Sequence, residues 1–181
     1  MKNKQAIIII GMPGSGKTSI SKMLIDRLPF FYCSSDLIRS KLFEEERITE
    51  DRDYTPQELS IIYNAIYYIS EIQSDNAHDL LIEGVYRSRE LRNHLCYMLI
   101  EKGYTLNKFY ITCNDSIAIS RTTKRKKEGT SSPAGANGYL EIKSKFESPL
   151  DDEGFCTIDN SRNITDTVAL VCKYLKKKGV M

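Results

Sequence analysis

The chain of 181 residues is poor in the residues that build metal centres and covalent cross-links. It contains two well-separated histidines and five scattered cysteines without a C-x-x-C pair, namely His78, His94, Cys33, Cys96, Cys113, Cys156 and Cys172. An odd set with this spacing fits neither a zinc site nor a disulfide framework. We therefore expect neither of them.

Long apolar runs and a strong net charge are absent as well. The basic start of the chain is followed by an apolar run at residues 6–10 that stops at Gly11. That run is shorter than the ~7 residues of a signal-peptide core, and no run approaches the ~18 residues of a membrane-spanning helix. The formal net charge is only +2, so no overall field favours nucleic acid or a membrane. We expect one cytoplasmic domain over residues 1–181, without a membrane partner.

The most informative pattern is the sequence GMPGSGKT at residues 11–18, directly after the apolar run. It fits the phosphate-binding loop G-x-x-x-x-G-K-[ST], which needs a buried strand before it and a helix after it. The glycines let successive backbone N–H groups face an anion, and the following helix adds its positive end. The lysine is expected to reach the β- and γ-phosphates of ATP, and the threonine hydroxyl is a ligand for Mg²⁺. The residues expected to hold the nucleotide are Gly11, Pro13, Gly14, Ser15, Gly16, Lys17, Thr18 and Ser19.

Apolar runs and helical patterns alternate along the chain. Strands are predicted at about 5–10, 30–34, 79–84, 106–113 and 155–159, and helices at 16–28, 35–46, from Thr55 onward, 88–102, 115–127 and 163–178. This alternation predicts a three-layer α/β fold in which helices cover both faces of a five-stranded parallel sheet of order 2-3-1-4-5. The Gly/Ser/Pro-rich stretch at 128–138 is long for a connection, and we interpret it as part of a mobile helical lid at about 121–147.

Two acidic residues follow predicted strands, at the edge where the phosphate-binding loop also lies. Asp36 is expected to point towards the γ-phosphate and to accept the proton of an attacking hydroxyl. Arg39 lies one helical turn further on and could bind an anionic group of the acceptor. Glu83 ends the third strand, where it could hold Mg²⁺ together with Thr18 or contact the substrate itself.

The fifth predicted helix carries a pair of arginines on one face. Arg121 and Arg125 are four residues apart and precede the predicted lid, whose closure would place their guanidinium groups on the transferring phosphates. The alternative is a solvated basic face or a nucleic-acid patch, which is the interpretation we prefer for Lys124 and its neighbours. A base-stacking surface formed by Tyr63, Tyr67 and Tyr68 is a further alternative to packing at the edge of the core.

Together these motifs resemble the P-loop kinases related to the kinase domain of polynucleotide 5′-hydroxyl kinase, with zeta-toxin-like and small-molecule phosphotransferases as wider relatives. The resemblance is carried by the phosphate-binding loop, Phe31-Tyr32 followed by Asp36-x-x-Arg39, the third-strand acid Glu83, and Arg121-x-x-Lys124-Arg125.

The resemblance covers about residues 5–160 and implies a role for several of them. By it, Asp36 is the general base, Arg39 binds the acceptor phosphate and Arg125 is the lid arginine for the γ-phosphate. It also implies that the segment at 159–162 passes near the adenine.

Three functions remain open at this point. The first two are Mg-ATP-dependent kinases, acting on the 5′-hydroxyl of an oligonucleotide or on a small alcohol such as a sugar, nucleoside or antibiotic. The third is a regulatory module that binds a nucleoside triphosphate and hydrolyses it slowly. A basic trough with stacking rings beside Asp36 and Arg39 would favour an oligonucleotide, and a closed pocket would favour a small alcohol. No metal other than Mg²⁺ is expected.

Overall fold

A fully parallel five-stranded sheet runs through the centre of the protein. The computed structural model describes residues 4–43, 55–128 and 135–181. The strands are β1 (Lys4–Ile10), β2 (Phe31–Ser34), β3 (Leu80–Gly84), β4 (Tyr104–Thr112) and β5 (Cys156–Asp159). Their order is β2-β3-β1-β4-β5, with every neighbouring pair parallel, which confirms the predicted topology.

Helices lie in the connections between these strands, and one more follows β5. They are α1 (Lys17–Ile25), α2 (Ser35–Leu42), α3 (Pro56–Asp75), α4 (Arg89–Glu101), α5 (Asp115–Lys127), α6 (Ala136–Ser144) and α7 (Ile164–Lys177), with a 3₁₀ turn at Asp151–Glu153. The predicted start of α3 is confirmed, because the Thr55 hydroxyl accepts from the Glu58 N–H at 3.2 Å and the Thr55 N–H donates to the Glu58 carboxylate at 2.8 Å.

Two hydrophobic cores cover the two faces of the sheet, which explains why the central strand β1 is continuously apolar over residues 6–10. Successive residues of a strand face opposite sides, so Ile8 and Ile10 join one core and Ile7 and Ile9 join the other. The first core also contains residues of α3 and α4, and the second contains residues of α1 and α7. All four isoleucines are fully buried, and each contributes about 1.5–3 kcal/mol of apolar burial.

Helix α6 lies inside the predicted helical lid, but its bounds were not predicted, because it begins within the Gly/Ser/Pro-rich stretch. It packs on α5, where the buried Tyr139 donates a hydrogen bond to Asp115 Oδ1 at 2.7 Å and Lys143 binds the other carboxylate oxygen. Hydrogen bonds from Lys143 and Tyr139 lower the pKa of Asp115. Residues 129–134 of the predicted lid lie outside the described residues.

In the described part of the chain no helix is both long enough and apolar enough to span a bilayer.

Candidate active site

A cleft of about 620 Å³ opens at the carboxyl ends of the central strands. The register pairs Ile9 of β1 and Ser34 of β2 with Glu83 of β3, so the ends of these three strands meet at one edge. This is where open α/β sheets bind their ligands. All seven predicted side chains of the reaction line the cleft: Lys17, Thr18, Asp36, Arg39, Glu83, Arg121 and Arg125.

Two glycines of the phosphate-binding loop cannot be replaced without moving their surroundings. Gly14 has φ +79°, and a Cβ there would lie 2.4 Å from the Ala118 carbonyl oxygen of α5. Gly16 has φ +95°, and its Cβ would lie 2.2 Å from the Asn160 amide nitrogen. Pro13 and Ser19 line the cleft, whereas Gly11 and Ser15 are buried and do not line it.

Lys17 occupies the cleft beside the loop. Its ammonium donates to the Met12 carbonyl oxygen at 3.0 Å. Removal from water lowers its pKa, while the carboxylates of Asp36 and Glu83 act in the opposite direction. The lysine is therefore a cation in a partly desolvated place, where a phosphate would be a better partner than one neutral carbonyl.

Glu83 is the centre of a buried hydroxyl network. Only 2% of it is exposed, and its Oε1 accepts from Thr18 and Ser34 at 2.9 Å each. Its Oε2 accepts from Ser21 at 2.7 Å. The network orients the Thr18 hydroxyl at the start of α1. Ser21 and Ser34 were not singled out from the sequence, since neither belongs to a motif.

Asp36 and Arg39 lie on the first turns of α2 and face each other. Arg39 Nη1 lies 3.7 Å from Asp36 Oδ1. Arg39 is 4% exposed, whereas the Asp36 side chain is 39% exposed and open to the cleft. Burial lowers the pKa of Arg39, and the carboxylate of Asp36 opposes that shift. An aspartate that is reachable from the cleft thus stands beside a guanidinium held in place by the fold.

The two arginines of α5 have different surroundings. Arg121 Nη1 donates to the Gly14 carbonyl oxygen at 3.3 Å, and the guanidinium also contacts the Asn160 carbonyl oxygen at 3.4 Å. Burial lowers the pKa of Arg125, and the negative charge of Asp36 opposes this. Arg121 therefore lies against the loop backbone, and Arg125 is the one whose charge acts on Asp36.

A second, smaller cavity of about 30 Å³ adjoins Asp36. Its walls are largely apolar and come from α3, α6 and the turn after β3; its residues are Ser35, Asp36, Leu59, Ile62, Tyr63, Val85, Arg87 and Ile142. The sequence analysis did not identify Arg87, although it follows a strand end as Asp36 does.

The tyrosines of α3 have different surroundings. Tyr63 is 4% exposed and packs on Tyr86 with ring centroids 5.0 Å apart, while Tyr68 is 66% exposed. The predicted tyrosines therefore do not form one stacking surface.

Comparison with known proteins gives several matches. Residues 7–149 match the sequence profile of the AAA domain family. An adenylate kinase of Mesomycoplasma hyopneumoniae strain 232 is 28% identical over 134 residues, which are 69% of this chain and 60% of that protein. The adenylate kinase of strain J of the same species is 23% identical and aligns with 100% of this chain and 91% of its own length.

Solved structures share the architecture at low identity. A sugar kinase from a Janibacter species superposes with a TM-score of 0.74 at 16% identity, covering 96% of this chain and 95% of its own. A gluconokinase from Sinorhizobium meliloti gives a TM-score of 0.73 at 14% identity, with coverages of 98% and 94%. The chain therefore belongs to the AAA domain family, with the fold of the P-loop kinases.

Proposed function

We propose that the protein transfers the γ-phosphoryl group of Mg-ATP to a hydroxyl group of a small molecule. The observation that carries this is the position of Asp36, which borders both the large cleft at the phosphate-binding loop and the small neighbouring cavity. A carboxylate at that junction can meet the hydroxyl of one substrate and the terminal phosphate of the other.

The chemical step follows from this placement. The acceptor oxygen attacks the γ-phosphorus, its proton passes to an Asp36 oxygen, and ADP leaves with the electrons of the broken P–O bond. Lys17 and Arg125 bring positive charge to the side of the cleft where negative charge grows in the transition state. In-line positioning of the two substrates and electrostatic stabilisation of the transition state would supply most of the rate acceleration.

The donor atoms of the site fit Mg²⁺. The Thr18 hydroxyl donates a hydrogen bond to Glu83, so the lone pairs of the hydroxyl oxygen remain available to a hard cation. The described residues hold no cluster of three or more His, Cys, Asp or Glu suited to a metal ion, so Thr18, with Glu83 behind it, would need phosphate oxygens to complete the coordination. When bound, the ion would neutralise charge on the phosphates.

The acceptor side supports a small substrate rather than an oligonucleotide. Its cavity is small and largely apolar, and the tyrosines that could have stacked bases are dispersed. Arg39 in the cleft and Arg87 in the cavity add two guanidinium groups, which favour an acceptor that also carries an anionic group. The sugar kinase and gluconokinase folds agree with an alcohol acceptor.

Adenylate is a second candidate acceptor, because two adenylate kinases are among the relatives in sequence and two arginines stand at the acceptor side. In that case the attacking atom is a phosphate oxygen, which is ionised at neutral pH and requires no general base.

A transfer assay with ATP labelled in the γ-phosphate tests the proposal. The panel should contain sugars, gluconate, nucleosides, aminoglycoside antibiotics, adenylate and 5′-hydroxyl oligonucleotides. Label in a small alcohol supports the proposed function, label in adenylate supports the second candidate, and label only in oligonucleotides overturns the small-molecule assignment. Label only in inorganic phosphate would indicate slow hydrolysis by a regulatory module.

Replacement of Lys17 by Ala should weaken Mg-ATP binding about 10- to 100-fold, because charge-assisted hydrogen bonds to phosphate contribute about 1.5–3 kcal/mol. Phosphoryl transfer should be lost with it. Isothermal titration calorimetry measures the affinity, and Lys22→Ala, an exposed lysine on the same helix, is the matched control. Equal affinities in the two variants would contradict the role of Lys17.

A further inference from the structure

We propose that Asn160 and Thr167 are positioning residues that set the phosphate-binding loop for the triphosphate, although neither belongs to that loop. Asn160 follows β5 directly and is 1% exposed, and Thr167 is in the first turn of α7 and is 2% exposed. The inference rests on the proposed binding of Mg-ATP and concerns the same site.

A backbone hydrogen bond fixes the position of Asn160, and its side chain reaches the phosphate-binding loop. Its N–H donates to the Thr112 carbonyl oxygen at 2.9 Å, which continues the β4–β5 pairing by one residue. Its amide Nδ2 donates to the Ser15 carbonyl oxygen at 2.7 Å. That bond spans 145 positions of the chain and joins the end of the sheet to the middle of the loop.

Fixing the Ser15 carbonyl also fixes the next N–H group. The peptide bond is planar and trans, so the Gly16 N–H points opposite to the Ser15 carbonyl and therefore away from Asn160. This N–H donates to no backbone oxygen among the residues that the structure describes. An N–H group preset in this way can bind a phosphate oxygen without first reorienting the backbone.

Thr167 decides which way the Asn160 amide faces. Its hydroxyl lies 2.9 Å from Asn160 Oδ1 and 3.3 Å from the Asn163 carbonyl oxygen. Donation along the shorter contact occupies the oxygen side of the amide and leaves the NH₂ side for Ser15. If the Asn160 amide were rotated by 180° about its Cβ–Cγ bond, its oxygen would face the Ser15 carbonyl oxygen. The two oxygens would then repel each other. The hydroxyl of Thr167 thus acts on the loop through one intermediate side chain.

A pair of substitutions at Thr167 tests this. Thr167→Val keeps the shape and removes the donor, and we expect it to bind Mg-ATP about three- to tenfold more weakly, the range for one lost hydrogen bond. Thr167→Ser keeps a hydroxyl and should restore the affinity. Thr165→Val is the matched control, because this threonine lies in the same turn of α7 but is exposed.

The readouts separate positioning from general damage. Calorimetry gives the Mg-ATP affinity, NMR titration gives the affinity for adenosine, which has no phosphates, and urea unfolding gives the stability. A loss confined to Mg-ATP in Thr167→Val supports the inference. Unchanged Mg-ATP affinity, or an equal loss for ATP and adenosine, overturns it. If the unaltered protein takes up no Mg-ATP, the proposed function itself fails, and this is seen before any variant is compared.

Discussion

Asp36→Asn is expected to lower the rate of phosphoryl transfer to a hydroxyl acceptor by about 10²–10⁴-fold, the usual contribution of a general base. The amide keeps the size of the side chain, but it cannot take a proton from the acceptor. Mg-ATP affinity should remain close to that of the unaltered protein, because the phosphate-binding loop is intact. Single-turnover transfer and calorimetry measure the two quantities.

This variant also distinguishes the two candidate acceptors. Adenylate attacks through an oxygen that is already ionised, so its phosphorylation should survive Asp36→Asn far better than that of an alcohol. Asp75→Asn, an exposed aspartate at the end of α3, is the control for an equal change of charge. Undiminished transfer to a hydroxyl acceptor by the Asp36 variant would remove the base assignment.

Arg92→Met should cost about 3–5 kcal/mol of unfolding free energy, the usual penalty for breaking a buried ion pair. Arg92 is 1% exposed and holds Glu153 through two hydrogen bonds of 2.6 and 2.8 Å. Its remaining nitrogen donates to the carbonyl oxygens of Tyr86 and Glu147, at 3.2 and 2.8 Å. Methionine would leave the Glu153 carboxylate buried without this guanidinium.

Urea unfolding measures this loss, and the chain provides a matched comparison. Arg89 pairs with Asp152 in the same two segments, but their side chains are 42% and 62% exposed. Arg89→Met should therefore cost no more than about 1 kcal/mol. The double variant Arg92→Met/Glu153→Met should be more stable than Arg92→Met alone, since no buried charge is left. Equal losses for Arg92→Met and Arg89→Met would contradict the importance of burial.

The same ion pair predicts how stability changes with pH. Hydrogen bonds from Arg92 hold the pKa of Glu153 below its ordinary value. A carboxylate with a lowered folded-state pKa stabilises the fold above its unfolded pKa, and this stabilisation is lost as the pH falls through the folded-state pKa. The Arg92→Met variant should therefore lose less stability on acidification than the unaltered protein. Unfolding curves measured from neutral pH to about pH 3 test this; a parallel decline in both proteins would contradict it.

Much of the fold could be predicted because its signals are local. The central strand contains a short continuous apolar run, and the capping box at Thr55 is complete within four residues. Helix α6 escaped because it begins with Ala136, Asn137 and Gly138, two of which are weak helix formers, and its main anchor, Asp115, lies on another helix.

The site was predictable only as far as its motifs extend. Lys17, Thr18 and Asp36 belong to patterns that can be recognised in a few residues. Arg92 and Glu153 are 61 positions apart, and nothing in either segment identifies the partner. The role that we propose for Asn160 likewise depends on a contact with a segment 145 positions away. Such contacts follow from the packed structure and have no period or spacing in the sequence.

The pairing order has a consequence for synthesis on the ribosome. The phosphate-binding loop is translated before its anchor, because Asn160 lies 145 positions after Ser15 and follows the last strand of the order β2-β3-β1-β4-β5. A nascent chain that stops before β5 already has four strands of this sheet, but it lacks the amide that we propose to hold the Ser15 carbonyl. High-affinity uptake of ATP would then begin only after Asn160 has been added and β5 has joined the sheet.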